Sequence, residues 1–266
     1  MKTKLMTLKE AAALVQDGSL VALGGNLLHR ISATFARELA RQGKRDLQLA
    51  KTAGGYDIDL LCAAGCVAAV HAGFVGFEAE FGLAPNYRKA VEQGRVKACE
   101  NACYTVIAGL RAAAYGIPFH PIAGMFGSDL LDVRQFRAVK DPYTGEEVVA
   151  IPKLQPDWAI VHVQEADTSG NARIYGTPFE DVLMTRAAKG VILTAERIVP
   201  TETFEQQPEL TQIPGFLVKA VVEAKGGAYP GSCYPYYEAD SAAIQEYLEA
   251  SQDSEKLRRY LERLDR

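Results

Sequence analysis

The residues best suited to chemistry stand where apolar runs break on glycine. Val21 to Arg30, VALGGNLLHR, carries a β-branched and apolar segment into Gly24 and Gly25, then Asn26 and a His29-Arg30 pair. A Gly-Gly step after a buried strand turns the main chain sharply and brings N–H groups close to what lies above the strand end. Phosphate, a carboxylate or a developing oxyanion would suit such donors, and a guanidinium at Arg30 would bind a carboxylate bidentately. Comparable exits recur at Gly54-Gly55, at Gly124 with Gly127 and Ser128, and at Gly226-Gly227. None matches G-x-G-x-x-G or the P-loop pattern, so a dinucleotide or nucleoside triphosphate site lacks its motif.

Nucleophiles and acid–base groups are scattered rather than framed. Glu100, in CENAC, sits at a strand-to-helix junction, where the helix dipole alone would favour a carboxylate. Cys62, Cys66, Cys99 and Cys103 form two C-x-x-x-C pairs, a spacing that suits one helix face better than a zinc knuckle; with Cys233 they read as small core thiols. Ser32, Ser128, Ser169 and Ser232 lack the G-x-S-x-G frame. Among the histidines, His71 and His162 lie inside apolar runs, His29 has only adjacency in its favour, and His120 is the one to test. No catalytic residue, metal or redox cofactor is assigned from these residues.

The elements that must position these groups alternate along the chain. LVALGG, DLQLAKTAGG, VAAVHAGF, KACEN, PFHPIAG, PDWAIVHVQEA, VILTAERIV and FLVKAVVEA read as short strands, separated by amphipathic helical segments such as SATFARELARQGK and CYTVIAGLRAAAYGI. Continuous apolar strands between helices indicate an α/β fold, an open, mainly parallel sheet with helices on both faces. Loops after parallel strands gather at the carboxyl edge, so the glycine exits would line one groove there. SDLLDVRQFRAVKDPYTGEEVVAIP is an excursion turning at Asp141-Pro142 and Thr144-Gly145. Residues 1–240 are expected to form the α/β domain and residues 241–266 an amphipathic helical tail broken near Ser251 to Ser254.

Composition excludes some partners. With 266 residues, 48% hydrophobic, and a net charge of −4, the chain lacks the basic face of a nucleic-acid binder. Lys9-Glu10 interrupts the first apolar stretch as a signal peptide would not, and no run of about 18 apolar residues offers a membrane span. A cytoplasmic protein is expected.

TLKEAAALVQDGSLVALGG, YGIPFHPIAGMFGSDL, PDWAIVHVQEADTSGNARIYG and VVEAKGGAYPGSCY, in this order, resemble the alpha subunit of family I coenzyme A transferases. The closest likeness is to the glutaconate CoA-transferase branch and the related ring-cleaving acyl-CoA hydrolases of steroid breakdown. The resemblance covers nearly the whole chain. It implies a hetero-oligomer with a homologous beta subunit, acyl-CoA and carboxylic acid substrates, and coenzyme A as substrate rather than cofactor. The nucleophilic Glu, which passes through a mixed anhydride to a glutamyl-CoA thioester, is implied on the beta subunit in a Glu-Asn-Gly or Glu-Asp-Gly motif. Glu100-Asn101 lacks that glycine.

Residue by residue, the resemblance places Gly24, Gly25 and Asn26 where the thioester and pantetheine arm pass, and Arg30 where glutaconate-type subunits also carry Arg. Cys103 falls where the transferases usually carry Gln and the ring-cleaving hydrolases an active Glu, so it departs from both. With Gly124, Gly127 and Ser128 it completes the expected substrate-binding set. Two alternatives stay open: an acyl-CoA ring-opening hydrolase subunit, and a non-catalytic ligand-sensing module of the same fold. The GGAYPGSCY segment favours the enzyme.

Overall fold

The computed structural model describes residues 3–264. The first half runs α1 (Leu8–Ala13), β1 (Leu20–Leu23), α2 (Ala33–Arg41), β2 (Leu47–Gly54), α3 (Tyr56–Ala63), β3 (Val67–Val75), α4 (Glu78–Phe81), α5 (Pro85–Glu92), β4 (Lys97–Glu100) and α6 (Cys103–Ala114). An excursion follows with β5 (Phe119–Ile122), α7 (Leu130–Arg134), β6 (Arg137–Lys140) and β7 (Glu147–Pro152). The chain returns through β8 (Trp158–Ala166), β9 (Ala172–Arg173), α8 (Asp181–Ala187), β10 (Gly190–Ile198), α9 (Glu202–Gln206) and β11 (Val218–Glu223), then ends in α10 (Ser241–Ala250) and α11 (Ser254–Arg263).

The main sheet has the order β11-β10-β8-β1-β2-β3-β4, with every pairing along that path parallel; β9 adds antiparallel to β8. Helices cover both faces, which is why β8 and β10 are apolar almost throughout rather than alternating. One face packs Leu23, Leu39, Leu49 and Leu61 with the first helices and the tail, and the other packs Val106 and Leu110 of α6 with Met184 of α8. The expected open, mainly parallel α/β sheet is the fold observed. Among the described residues, no helix is long and apolar enough to cross a membrane.

PFHPIAG departs from the expectation of a further parallel strand. β5 joins a separate antiparallel sheet of order β5-β7-β6. It is four residues long, and Pro121 cannot donate to a ladder, so it takes an edge position. The Asp141 to Gly145 turn closes the β6–β7 hairpin as expected, with Gly145 N–H donating to Asp141 O at 2.9 Å.

The tail breaks between Ala250 and Ser254, as its sequence suggests, and folds back into the first core. Tyr247 donates to the buried Asp59 carboxylate at 2.7 Å, and the Tyr260 hydroxyl lies 2.9 Å from that of Tyr56. Burial pushes the Asp59 carboxyl up, against hydrogen bonds from Asn86, Tyr87 and Tyr247 that favour its ionised form.

Candidate active site

Gly24 and Gly25 follow β1 and are buried. The N–H groups expected to stand bare are already paired: Gly24 donates to Ile160 O at 2.8 Å, Gly25 to Asp181 Oδ1 at 2.9 Å and Asn26 to His29 O at 2.9 Å. Gly25 has φ +72°, and a Cβ on it would lie 2.4 Å from Arg30 O. Glycine here serves a close backbone crossing inside the protein, not exposed anion donors.

Two buried ion pairs clamp this turn. Lys51 on β2 donates to Asp57 Oδ2 at 2.5 Å and to Gly24 O at 2.9 Å, with both side chains of the pair fully buried. On the other side, Asp181 at the start of α8 accepts from Gly25 N–H and from Arg30. Each charge is matched and hydrogen-bonded, the condition under which burying it is tolerable.

Arg30 is therefore neither a surface residue nor a free carboxylate binder. It is 3% exposed, pairs with Asp181, and donates to His162 O at 2.9 Å and Thr177 O at 3.1 Å. Its guanidinium lies 5.8 Å from the centre of the Phe179 ring. Leu27, Arg30 and Phe179 all hold left-handed backbone, with φ of 49°, 50° and 48°. Non-glycine residues in that region carry strain that the surrounding contacts must hold in place, a feature concentrated at functional sites.

Above the clamped turn opens a hollow of about 440 Å³, walled by Tyr175, Phe179 and Tyr234, with His29, Arg30 and Ser232 on its polar side. His29 Nδ1 lies 2.8 Å from Ser232 Oγ. Phe179 also borders a second hollow of about 380 Å³ between α6 and α8, where Arg111, Glu180 and Arg186 reach the surface. Thr52 donates to Glu180 Oε2, on the wall of the second hollow, at 2.8 Å, and Cys103 Sγ lies 3.4 Å from Thr52 O, outside the lining of both hollows. Cys103 is exposed at the first turn of α6, so this thiol departs from the core reading that the other four cysteines satisfy.

The remaining expected positions lie apart. Gly124, Gly127 and Ser128 are exposed on the turn between β5 and α7, where Ser128 Oγ accepts from Leu130 N–H at 3.3 Å; none lines either hollow. Glu100 ends the edge strand β4 and is exposed. His120 is on the excursion, its Nδ1 2.8 Å from Pro121 O.

His162, Glu196 and Cys233 bring an imidazole, a carboxylate and a thiol within 4.8 Å, a set that could hold a metal ion. Each imidazole nitrogen already has a partner: Nδ1 lies 2.9 Å from Thr194 Oγ1 and Nε2 2.8 Å from Glu196 Oε1. Glu196 also accepts from Tyr237 at 2.5 Å and Gly226 N–H at 2.8 Å. Burial pushes the Glu196 carboxyl up, but these bonds and His162 outweigh it and hold it below the usual range; burial pushes the Cys233 thiol up to about 12. This is a closed network supporting Arg30 from beneath, as a core reading of His162 requires.

Sequence reasoning missed Lys51, Asp57, Asp181 and Glu180, and considered Ser232 only as a nucleophile lacking its frame. Lys51 inside an apolar strand was the visible signal, since a lone charge there needs a buried partner.

A family model described as Coenzyme A transferase matches residues 5–224. A chain of glutaconate CoA-transferase from Acidaminococcus fermentans is 35% identical, over 95% of this chain and 85% of its own length. A crystal structure of glutaconate coenzyme A-transferase from the same organism superposes with a TM-score of 0.91 at 34% identity, covering 98% of this chain and 88% of that one. The Cholesterol ring-cleaving hydrolase IpdA subunit of Mycobacterium tuberculosis is 33% identical over 94% of this chain and 89% of its own. An uncharacterized protein of Archaeoglobus fulgidus is 38% identical over 99% of this chain, which spans 59% of that relative's length. The chain belongs to the coenzyme A transferase family.

Proposed function

We propose that this chain is the alpha-type subunit of a heteromeric CoA-transferase, moving coenzyme A between carboxylic acids with a homologous beta-type chain. The observation that carries this reading is the whole-chain overlap with glutaconate CoA-transferase. On this reading a Glu of the second chain attacks the thioester carbonyl, releases the CoA thiolate and forms a mixed anhydride. The thiolate then attacks the glutamyl carbonyl and displaces the acyl carboxylate, leaving glutamyl-CoA for the acceptor acid.

This chain's part is to present a rigid wall. The clamped turn fixes Arg30 and Phe179, so the hollows on either side of Phe179 keep their shape as the thioester becomes tetrahedral. Coenzyme A enters as a substrate, and work on acyl-CoA thioesters supports a cytoplasmic location.

Hydrolysis is a second reading, favoured by one observation: Glu180 puts a carboxylate against the Thr52 hydroxyl on the wall of the second hollow, able to activate a water for thioester attack. Incubating the assembled enzyme with acyl-CoA and an acceptor acid in ¹⁸O-water separates the two. Transfer gives the acceptor's CoA thioester; hydrolysis gives free CoA and solvent oxygen in the released acid. The purified chain alone is expected to do neither, and turnover without a second chain would contradict the proposal.

A further inference from the structure

The hollow between α6 and α8 carries two cations that the account above leaves unused. Arg111 on α6 and Arg186 on α8 both line it, and among the described residues neither pairs with a carboxylate. Arg30, Arg88, Arg197 and Arg258, by contrast, each hold one. The partner that Arg111 does have is neutral: its Nη1 donates to the Tyr104 hydroxyl at 3.3 Å, with the guanidinium 5.7 Å from the centre of that ring. In a chain of net charge −4, two guanidiniums without counter-ions in one concavity mark a place for an anion.

The two helices set these charges beside apolar and aromatic surface. Ile107, Arg111 and Tyr115 stand four residues apart and share one face of α6; Leu183 and Arg186, three apart, share one of α8. Tyr115, the C-cap of α6, is 72% exposed and leaves its ring open on the wall of the hollow. The acid in the lining, Glu180, is six residues from Arg186, roughly 9 Å along the helix axis, and its Oε2 already accepts from Thr52. A guanidinium fork recognises phosphate bidentately, and an open ring is a platform on which a base stacks. A simple carboxylate would use the cations and leave the ring idle.

We propose that this hollow binds a phosphorylated nucleoside group, with phosphates on Arg111 and Arg186 and the base on Tyr115. Two molecules could bring that group. One is coenzyme A itself, its nucleotide end here and its arm passing Phe179, which borders this hollow and the one at His29. The other is a free nucleotide bound in its own right. Assigning the group to coenzyme A rests on the thioester reading above; nucleotide binding as such does not.

The probe is adenosine 3′,5′-bisphosphate, titrated calorimetrically into the assembled enzyme. Arg111→Gln and Arg186→Gln should each raise its Kd about tenfold or more, the worth of one charge-assisted contact. Neither arginine holds an ion pair among the described residues, so neither substitution strands a buried charge. Tyr115→Ala should raise Kd about fivefold or more through lost stacking, and Arg186→Lys should recover only part of the arginine's effect. Kinetics separate the two sources. For coenzyme A, the bisphosphate competes with acyl-CoA, and both arginine substitutions raise KM for acyl-CoA but not for the same acyl group on pantetheine. For a free nucleotide, the bisphosphate binds alongside acyl-CoA and neither KM moves. A Kd unchanged in both arginine variants, or no binding to the unsubstituted enzyme, would overturn the proposal and leave the transferase reading standing. Arginine-dependent binding in an enzyme that transfers no CoA would uphold the proposal and contradict the transferase reading alone.

Discussion

The turn over residues 24–30 and the turn over residues 124–128 each follow a four-residue strand and each carry two glycines. In the first, main-chain donors are committed inside the protein, two ion pairs flank the glycines, and a Cβ at Gly25 would strike backbone at 2.4 Å. In the second, Gly124 and Gly127 also hold positive φ, but nothing lies within 4 Å of where a Cβ would stand. The same residue type thus serves a buried crossing in one place and a solvent-facing turn in the other. The rigid turn forms one side of the hollow at His29; the open one touches neither hollow.

The comparison breaks most severely if the clamps are not structural. Lys51→Ala would strand the fully buried Asp57, and Arg30→Ala the fully buried Asp181; each is expected to cost about 3–5 kcal/mol in denaturant unfolding. Arg30→Lys should recover only part of that, because an ammonium cannot reach Asp181, His162 O and Thr177 O together. If Arg30→Ala left stability unchanged and raised only KM, Arg30 would be a ligand contact after all.

A smaller effect separates the two turns directly. Gly25→Ala meets both a left-handed backbone and a backbone clash, and is expected to cost about 2–4 kcal/mol. Gly124→Ala meets only the backbone strain, at about 1 kcal/mol. Equal losses would remove the distinction.

The smallest effect concerns pH. Burial pulls His71 on β3 down to about 4, helped by Arg134 and Lys97, so the folded state refuses a proton that the unfolded chain accepts near 6.5. The stability this gives is complete above pH 6.5 and falls away as pH drops toward 4. Because His71 is only half-buried, about 1–2 kcal/mol is expected, and His71→Gln should flatten that part of the pH profile of unfolding. A slope unchanged by the substitution would assign the acid sensitivity elsewhere.

Much of the fold was legible because it rests on local pattern. The alternating runs placed β1, β2, β3, β8, β10 and β11 and the break in the tail, and the Asp141 to Gly145 turn signalled the hairpin. The antiparallel pairing of β5 was not legible, since a four-residue run carries no information about its partner. At the site, sequence pointed to Gly24, Gly25 and Arg30 but not to the partners that hold them. Their partners are distant in the chain, Gly25 and Asp181 being 156 residues apart, and Ser232 meets His29 across 203. No spacing rule reaches that far.

The central claim, that this chain supplies a fixed wall while the nucleophile lies on a second chain, is tested most directly by finding which residue becomes acylated. The assembled enzyme is incubated with acyl-CoA, the glutamyl thioester is trapped with hydroxylamine, and both chains are mapped by mass spectrometry. The hydroxamate is predicted on a Glu of the second chain, with every Glu of this chain unmodified. A hydroxamate on Glu100 or Glu180 would contradict the account.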